Sequence, residues 1–213
     1  MPQTLQASKL SLYDVETKFN LRQDANNNFF TELLQVPPVL NDFEKEVLYR
    51  TRKQYLYLAD RPLLEVTVKM VILSPLLSLA GFYETPFYTT LEESIEIWSQ
   101  DREEIVRGQI DVLVLQNALW IVVLEAKSIQ YDVMVALPQA LIYMMANLNQ
   151  HPHKQLFGMI TNGREFGFIK LYQESSPIYI LSKIFSLSET ENQLYEVLQI
   201  LKSIRKCQKE DSR

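Results

Sequence analysis

Three ionisable side chains interrupt the most apolar part of this 213-residue sequence. In GQIDVLVLQNALWIVVLEAK, residues 108–127, Asp111 lies within one apolar run and Glu125-Ala126-Lys127 closes the next. Charged groups are rarely buried unless they are paired or hold a metal. Alternation along an extended chain puts Glu125 and Lys127 on one face, and a hairpin brings Asp111 beside Glu125. Two carboxylates at close range both stay ionised only with a cation between them. Oxygen donors alone suit a hard ion such as Mg²⁺ or Mn²⁺, which keeps several waters. Such an ion acidifies a bound water and stabilises charge on a phosphoryl oxygen. Lys127 would orient that water or help deprotonate it. The chemistry these parts describe is hydrolysis of a phosphodiester. The plainer reading is that Glu125 and Lys127 leave the sheet at its end and meet solvent, with Asp111 capping a turn.

Two further features bear on the same site. Glu65 lies ten residues before Pro75 and is a candidate third acid; its alternative is an i,i+4 pair with Lys69. Gln139 and Tyr143 are one helical turn apart and share a face, which is also what a polar stripe on an amphipathic helix produces. His151 and His153 flank Pro152 in a loop, with no acid or cysteine nearby in sequence. YRTRKQYLY mixes basic and aromatic residues as a nucleic-acid surface does, or as a solvated helix face with its tyrosines turned inward.

The elements around these residues follow from periodicity and punctuation. Asn41-Asp42 caps an amphipathic helix that ends near Asp60. Pro62 opens a second helix, LLEVTVKMVILSPLLSLA, which Gly81 stops; it is apolar on nearly every face, so it is expected to be buried, with a kink or restart at Pro75. Segments 86–90, 94–99, 104–115 and 119–125 read as strands, the last two as central strands covered on both faces. A helix over 132–149, with Pro138 at an early position, precedes strands at 157–161, 164–172 and 177–184, the Asn162-Gly163 turn, and a closing helix at 187–207. The fold class expected is α/β (α+β): a central mixed β-sheet flanked by helices, with an extra N-terminal helical segment. The organisation expected is a single domain, with an N-terminal extension over 1–60, a core over 61–185, and a C-terminal helix over 186–213 packed on it.

Composition narrows the class. With 47% hydrophobic and 22% charged residues, the chain has the balance of an ordinary globular protein. Cys207 is the only cysteine of these residues, which excludes a disulfide among them and a zinc-thiolate cage. MPQTLQASKL lacks a basic start with an apolar core, and no apolar run reaches the ~18 residues of a membrane span; the expected location is cytoplasmic. A net charge of −5 argues mildly against nonspecific nucleic-acid binding.

Taken in order, Asp111, Glu125-Ala126-Lys127 and Gln139-x-x-x-Tyr143 resemble the nuclease core of the PD-(D/E)xK superfamily. They are most similar to the N-terminal nuclease domain of type I restriction enzyme R subunits. Glu65 through Pro75-Leu76-Leu77 to Ala80-Gly81-Phe82 resembles that domain's leading helix, and Thr161 to Phe166 its late strand-turn-strand. The resemblance covers about residues 60–175. It implies a restriction-endonuclease-like core and a Mg²⁺- or Mn²⁺-dependent DNA endonuclease. Asp111, Glu125 and Glu65 would hold metal, Lys127 would act on the water, and Gln139 and Tyr143 would engage DNA. Ile110 stands where the superfamily's name has proline. No G-x-x-x-x-G-K-[ST] is present, so there is no ATP site in this chain. It would act as a free-standing nuclease domain, as a homodimer, or with separate specificity or motor subunits. The alternatives are a nuclease-fold DNA-binding or assembly module without useful catalysis, and an enzyme of RNA or branched DNA.

Overall fold

Along the chain, β1 (Gln3–Gln6) leads to α1 (Leu12–Phe19), β2 (Arg22–Gln23), α2 (Phe29–Leu33) and α3 (Asp42–Leu58). Next come α4 (Glu65–Val68), a π-helical turn (Lys69–Leu73) and α5 (Ser74–Ala80), contiguous in sequence. The strands β3 (Phe87–Trp98), β4 (Glu104–Gln116) and β5 (Leu119–Ala126) precede α6 (Leu137–Leu148). β6 (Leu156–Thr161), β7 (Glu165–Gln173), β8 (Pro177–Leu181), β9 (Phe185–Ser186) and α7 (Leu194–Glu210) complete the order. The computed structural model describes residues 3–61, 63–99, 104–116, 119–126, 132–151 and 155–210, of which 116, 119–126 and 208–210 are described by backbone alone.

Local chemistry sets the helix ends. Asn41 Oδ1 accepts from the Glu44 amide and Glu44 Oε2 accepts from the Asn41 amide, both at 2.9 Å, so two of the orphan donors at the start of α3 are satisfied. Pro75 has no N–H to donate, and the helix before it widens into the π-helical turn. Gly81 then ends α5 in the left-handed region, at φ 79°. That long helix was expected to be buried on all sides. Only one face is: Val68, Ile72, Leu73, Leu76 and Leu77 pack inward, while Leu64, Val66 and Met70 are exposed. The helix runs over neighbouring helices rather than through the core.

The structure is mixed α/β. Among the described residues, nine strands form one sheet with both parallel and antiparallel pairs, flanked by helices as expected. α3, α5 and α7 bury Leu48, Tyr55, Leu76, Leu77 and Leu201 against one face, with Val112, Val114, Met159 and Phe168 of the strands. α1 and α6 cover the other face over Leu113, Ile160 and Ile169. Two covered faces explain why β4 and β6 are apolar on both sides. Residues 1–60, expected as a helical extension, also supply two strands: β1 runs parallel to β4 and β2 parallel to β8. Strands of four and two residues are too short to leave a periodic signal in sequence. The separate strands expected at 86–90 and 94–99 are one strand, β3, with Glu92 at φ 55° in its middle. No described helix is long and apolar enough to cross a membrane.

One irregularity positions the site. β3 pairs with β4 along nearly its whole length, from Gln116 back to Ile105. The opposite edge of β4 is shared: β1 takes Glu104–Arg107 and β5 takes Val112–Gln116. Residues 108–111 therefore face no strand on that edge.

Candidate active site

The gap in the β4 edge is the floor of a cleft of about 520 Å³. Glu65, Asp111, Gln139 and Tyr143 all line it, so four of the six residues singled out by sequence converge there from three separate elements. Asp111 sits where the side-chain alternation of β4 breaks. Ile110 packs into the α6 side of the core and Val112, two residues on, into the opposite side. Across the ladder, Leu91 pairs with Val112 and Glu93 with Ile110, which leaves the left-handed Glu92 opposite Asp111. A left-handed residue in mid-strand costs about 1–2 kcal/mol for a residue with a side chain.

Asp111 is held by a cation. Lys69 Nζ lies 2.6 Å from Asp111 Oδ1 and 3.8 Å from Glu65 Oε1, so the lysine sits between two carboxylates. The i,i+4 contact weighed for Glu65 exists, and it joins Glu65 to Asp111 rather than removing it from the site. The Lys69–Asp111 bond is mostly shielded from water, with side-chain exposures of 20% and 13%, and charge-assisted hydrogen bonds of this kind are the strong ones.

Glu125 enters from β5. The β4–β5 ladder ends at the Val112–Leu124 pair, and Asp111 and Glu125 are the next residues beyond it on the two strands. On its far side, the Glu125 backbone pairs with Ile160 of β6. The Glu125 side chain and the whole of Lys127 lie outside the described residues.

The Gln139–Tyr143 pair is not a solvent-facing stripe. Ten residues of α6 are buried, leaving only Pro138 and Gln139 partly exposed, because β5, β6 and the N-terminal elements enclose the helix. The Tyr143 hydroxyl accepts from the Gln139 Nε2 amide at 2.6 Å and from the Gln109 backbone N–H at 3.1 Å. Gln109 lies in the strand-free gap, so this side chain satisfies a backbone donor that no neighbouring strand can reach. Gly108 makes the approach possible: a Cβ there would lie 2.6 Å from the Tyr143 ring and hydroxyl. Gln139 is thus the part of the pair that meets the cleft, and Tyr143 is the post that holds β4.

The set of oxygen donors at the cleft is chemically suited to a hard divalent ion. Among the described residues no three His, Cys, Asp or Glu side chains gather as a metal cluster; the described carboxylates at the cleft are Asp111 and Glu65, on either side of Lys69, and Glu96, paired with Arg107.

No family model and no curated protein matches this chain. Its fold shows a distant likeness to a fragment of a putative HsdR subunit of a type I restriction enzyme from Vibrio vulnificus YJ016. The two are 22% identical, with a TM-score of 0.40, over 59% of this chain. The match spans 24% of that structure.

Lys69, Gly108 and Gln109 were not among the site residues proposed from sequence. Lys69 was visible as the i+4 neighbour of Glu65, and Gly108 as a glycine inside a strand pattern, a sign of close backbone approach. Nothing in the order of residues points to Gln109, whose part is played by its backbone. Elsewhere, His151 is partly buried and His153 lies outside the described residues. The basic-aromatic stretch of α3 divides: Tyr55 is buried, while Tyr49 and Tyr57 are exposed. Arg52 is spent on the carbonyls of Leu187, Glu189 and Thr190, which makes it a tether for the chain entering α7.

Proposed function

We propose that this chain is a divalent-metal-dependent DNA endonuclease. The observation that supports it is the convergence of Asp111, Glu65 and Gln139 on one cleft, with Glu125 of β5 one residue beyond the end of the β4–β5 ladder. Asp111, Glu125 and Glu65 would hold Mg²⁺ or Mn²⁺. When bound, the ion would acidify a water and polarise the scissile phosphodiester. Lys127 would orient the water. Lys69 holds both carboxylates in the absence of the ion and would yield them when it binds. Gln139 would contact the DNA strand, held in position by Tyr143. Separate specificity or motor subunits and a second copy of the chain are the partners this reading expects, because cutting both strands takes two sites or two visits.

A second reading has its own observation. The 2.6 Å Lys69–Asp111 ion pair satisfies the carboxylate with a protein cation, as expected of a nuclease-like fold that binds DNA or assembles without useful catalysis. Incubation with plasmid and short DNAs across Mg²⁺ and Mn²⁺, beside calorimetric titration of Mn²⁺, separates the two. Cleavage lost in Asp111→Ala and Lys127→Ala supports the endonuclease. A folded protein that neither cuts nor binds Mn²⁺ supports the second reading, and cleavage that survives both substitutions removes these residues from any mechanism.

A further inference from the structure

A second cleft, of about 900 Å³, adjoins the first. Glu96 of β3 belongs to the walls of both, so the two meet at that residue. The chemistry of the second is different. Trp98 is 48% exposed and lines it. Asn20, Asn149, Gln150 and Gln173 bring carboxamides to the same wall, and among the described residues no Lys or Arg lines it. A carboxamide offers a donor and an acceptor side by side, the complement of a base edge. An aromatic face stacks on any base. Among the described lining residues no cation selects phosphate, and Arg22 beside the wall is turned to Ser176 Oγ. In a duplex, base faces are stacked and their pairing edges are occupied, so the ligand such a wall fits is unpaired.

We propose that this cleft seats unpaired bases of a DNA strand whose backbone passes the Asp111 cleft. The inference rests on the phosphodiesterase reading for where the strand leads, and it names the substrate of that site as single-stranded or locally opened DNA. The span suits it. Trp98 pairs with Ile105 and Glu93 with Ile110, and the five residue steps of β3 from one rung to the other cover about 17 Å at ~3.4 Å each. A single strand can therefore occupy both clefts.

The test uses the full chain in EDTA, where no cutting interferes, and fluorescence anisotropy with a labelled oligothymidylate. The same strand as a duplex, and an abasic strand of equal length, are the comparisons. The single strand is expected to bind more tightly than either. Trp98→Ala should weaken it by about 5- to 150-fold, the equivalent of ~1–3 kcal/mol for a stacked base, while Trp98→Phe keeps most of the affinity. Equal binding of the abasic and base-bearing strands, a preference for duplex, or a natively folded Trp98→Ala protein with unchanged affinity would overturn the proposal. If base-dependent binding is present and plasmid cleavage with Mg²⁺ or Mn²⁺ is absent, the base cleft stands and the endonuclease reading falls; cleavage without base-dependent binding gives the reverse.

Discussion

Lys69 Nζ and Asp111 Oδ1 are 2.6 Å apart although 42 residues separate them in sequence. The lysine comes from the π-helical turn and the carboxylate from the strand-free stretch of β4, so this bond ties the helical layer to the floor of the cleft. A Lys69→Met protein keeps the stem and loses the charge, leaving a largely shielded carboxylate without this partner. Stability should fall by about 1–3 kcal/mol, read as a lower midpoint in urea. If Asp111 holds a divalent ion, the same variant should bind Mn²⁺ more tightly in calorimetry, since a competing cation has been removed. Weaker Mn²⁺ binding would assign Lys69 to holding the carboxylate for the ion.

Gly108 and Tyr143 form the second joint. A Gly108→Ala side chain would overlap the Tyr143 ring at 2.6 Å and lift β4 from α6, at a cost of about 1–3 kcal/mol for an overpacked site. Tyr143→Phe keeps the ring but removes the hydroxyl that accepts from Gln109. The orphaned backbone amide should cost about 1–3 kcal/mol, and its hydrogen exchange should quicken more than that of its strand neighbours.

Glu92 lies opposite Asp111 in the left-handed region, at φ 55°. Glycine reaches that angle without a steric penalty, and its greater freedom when unfolded offsets part of the gain. Glu92→Gly should be neutral or slightly stabilising, whereas Glu92→Val, β-branched in the left-handed region, should be clearly destabilised. Two equal urea midpoints would mean that the left-handed backbone is not what this position requires.

Alkaline stability should depend on Tyr55. Burial pushes its phenol up to about 12, and its hydroxyl donates to the Asn162 carbonyl at 3.3 Å. The sign follows from the unfolded chain ionising first: near pH 10 the unfolded phenol loses its proton while the folded one keeps it. The contribution is therefore fully present below pH 10 and is lost as the pH rises toward 12. Tyr55→Phe should flatten the fall in thermal midpoint across that window. Tyr179, raised by burial and by its hydrogen bond to Glu16, acts in the same direction and should leave a residual slope.

The elements were legible where the signal is local. The Asn41 cap, the Gly81 stop, the break at Pro75, the early Pro138 and the Asn162-Gly163 turn each stand where their own backbone chemistry places them. The apolar periods of β4, β6 and α7 follow from the faces they cover. Glu65, Asp111, Gln139 and Tyr143 could be chosen from sequence because polar groups in apolar runs are costly unless they are used. What depends on distant pairing was not legible. The parallel addition of β1, the strand-free stretch it leaves beside Asp111, and the crossing of β4 from one core face to the other arise only when segments about a hundred residues apart meet. The same holds for the partner of Asp111: a lysine that sequence assigns to its helix neighbour is claimed by a strand. Local backbone preferences are written in a few adjacent residues, whereas which edge stays open, and which charge faces it, is settled by the packing of the whole sheet.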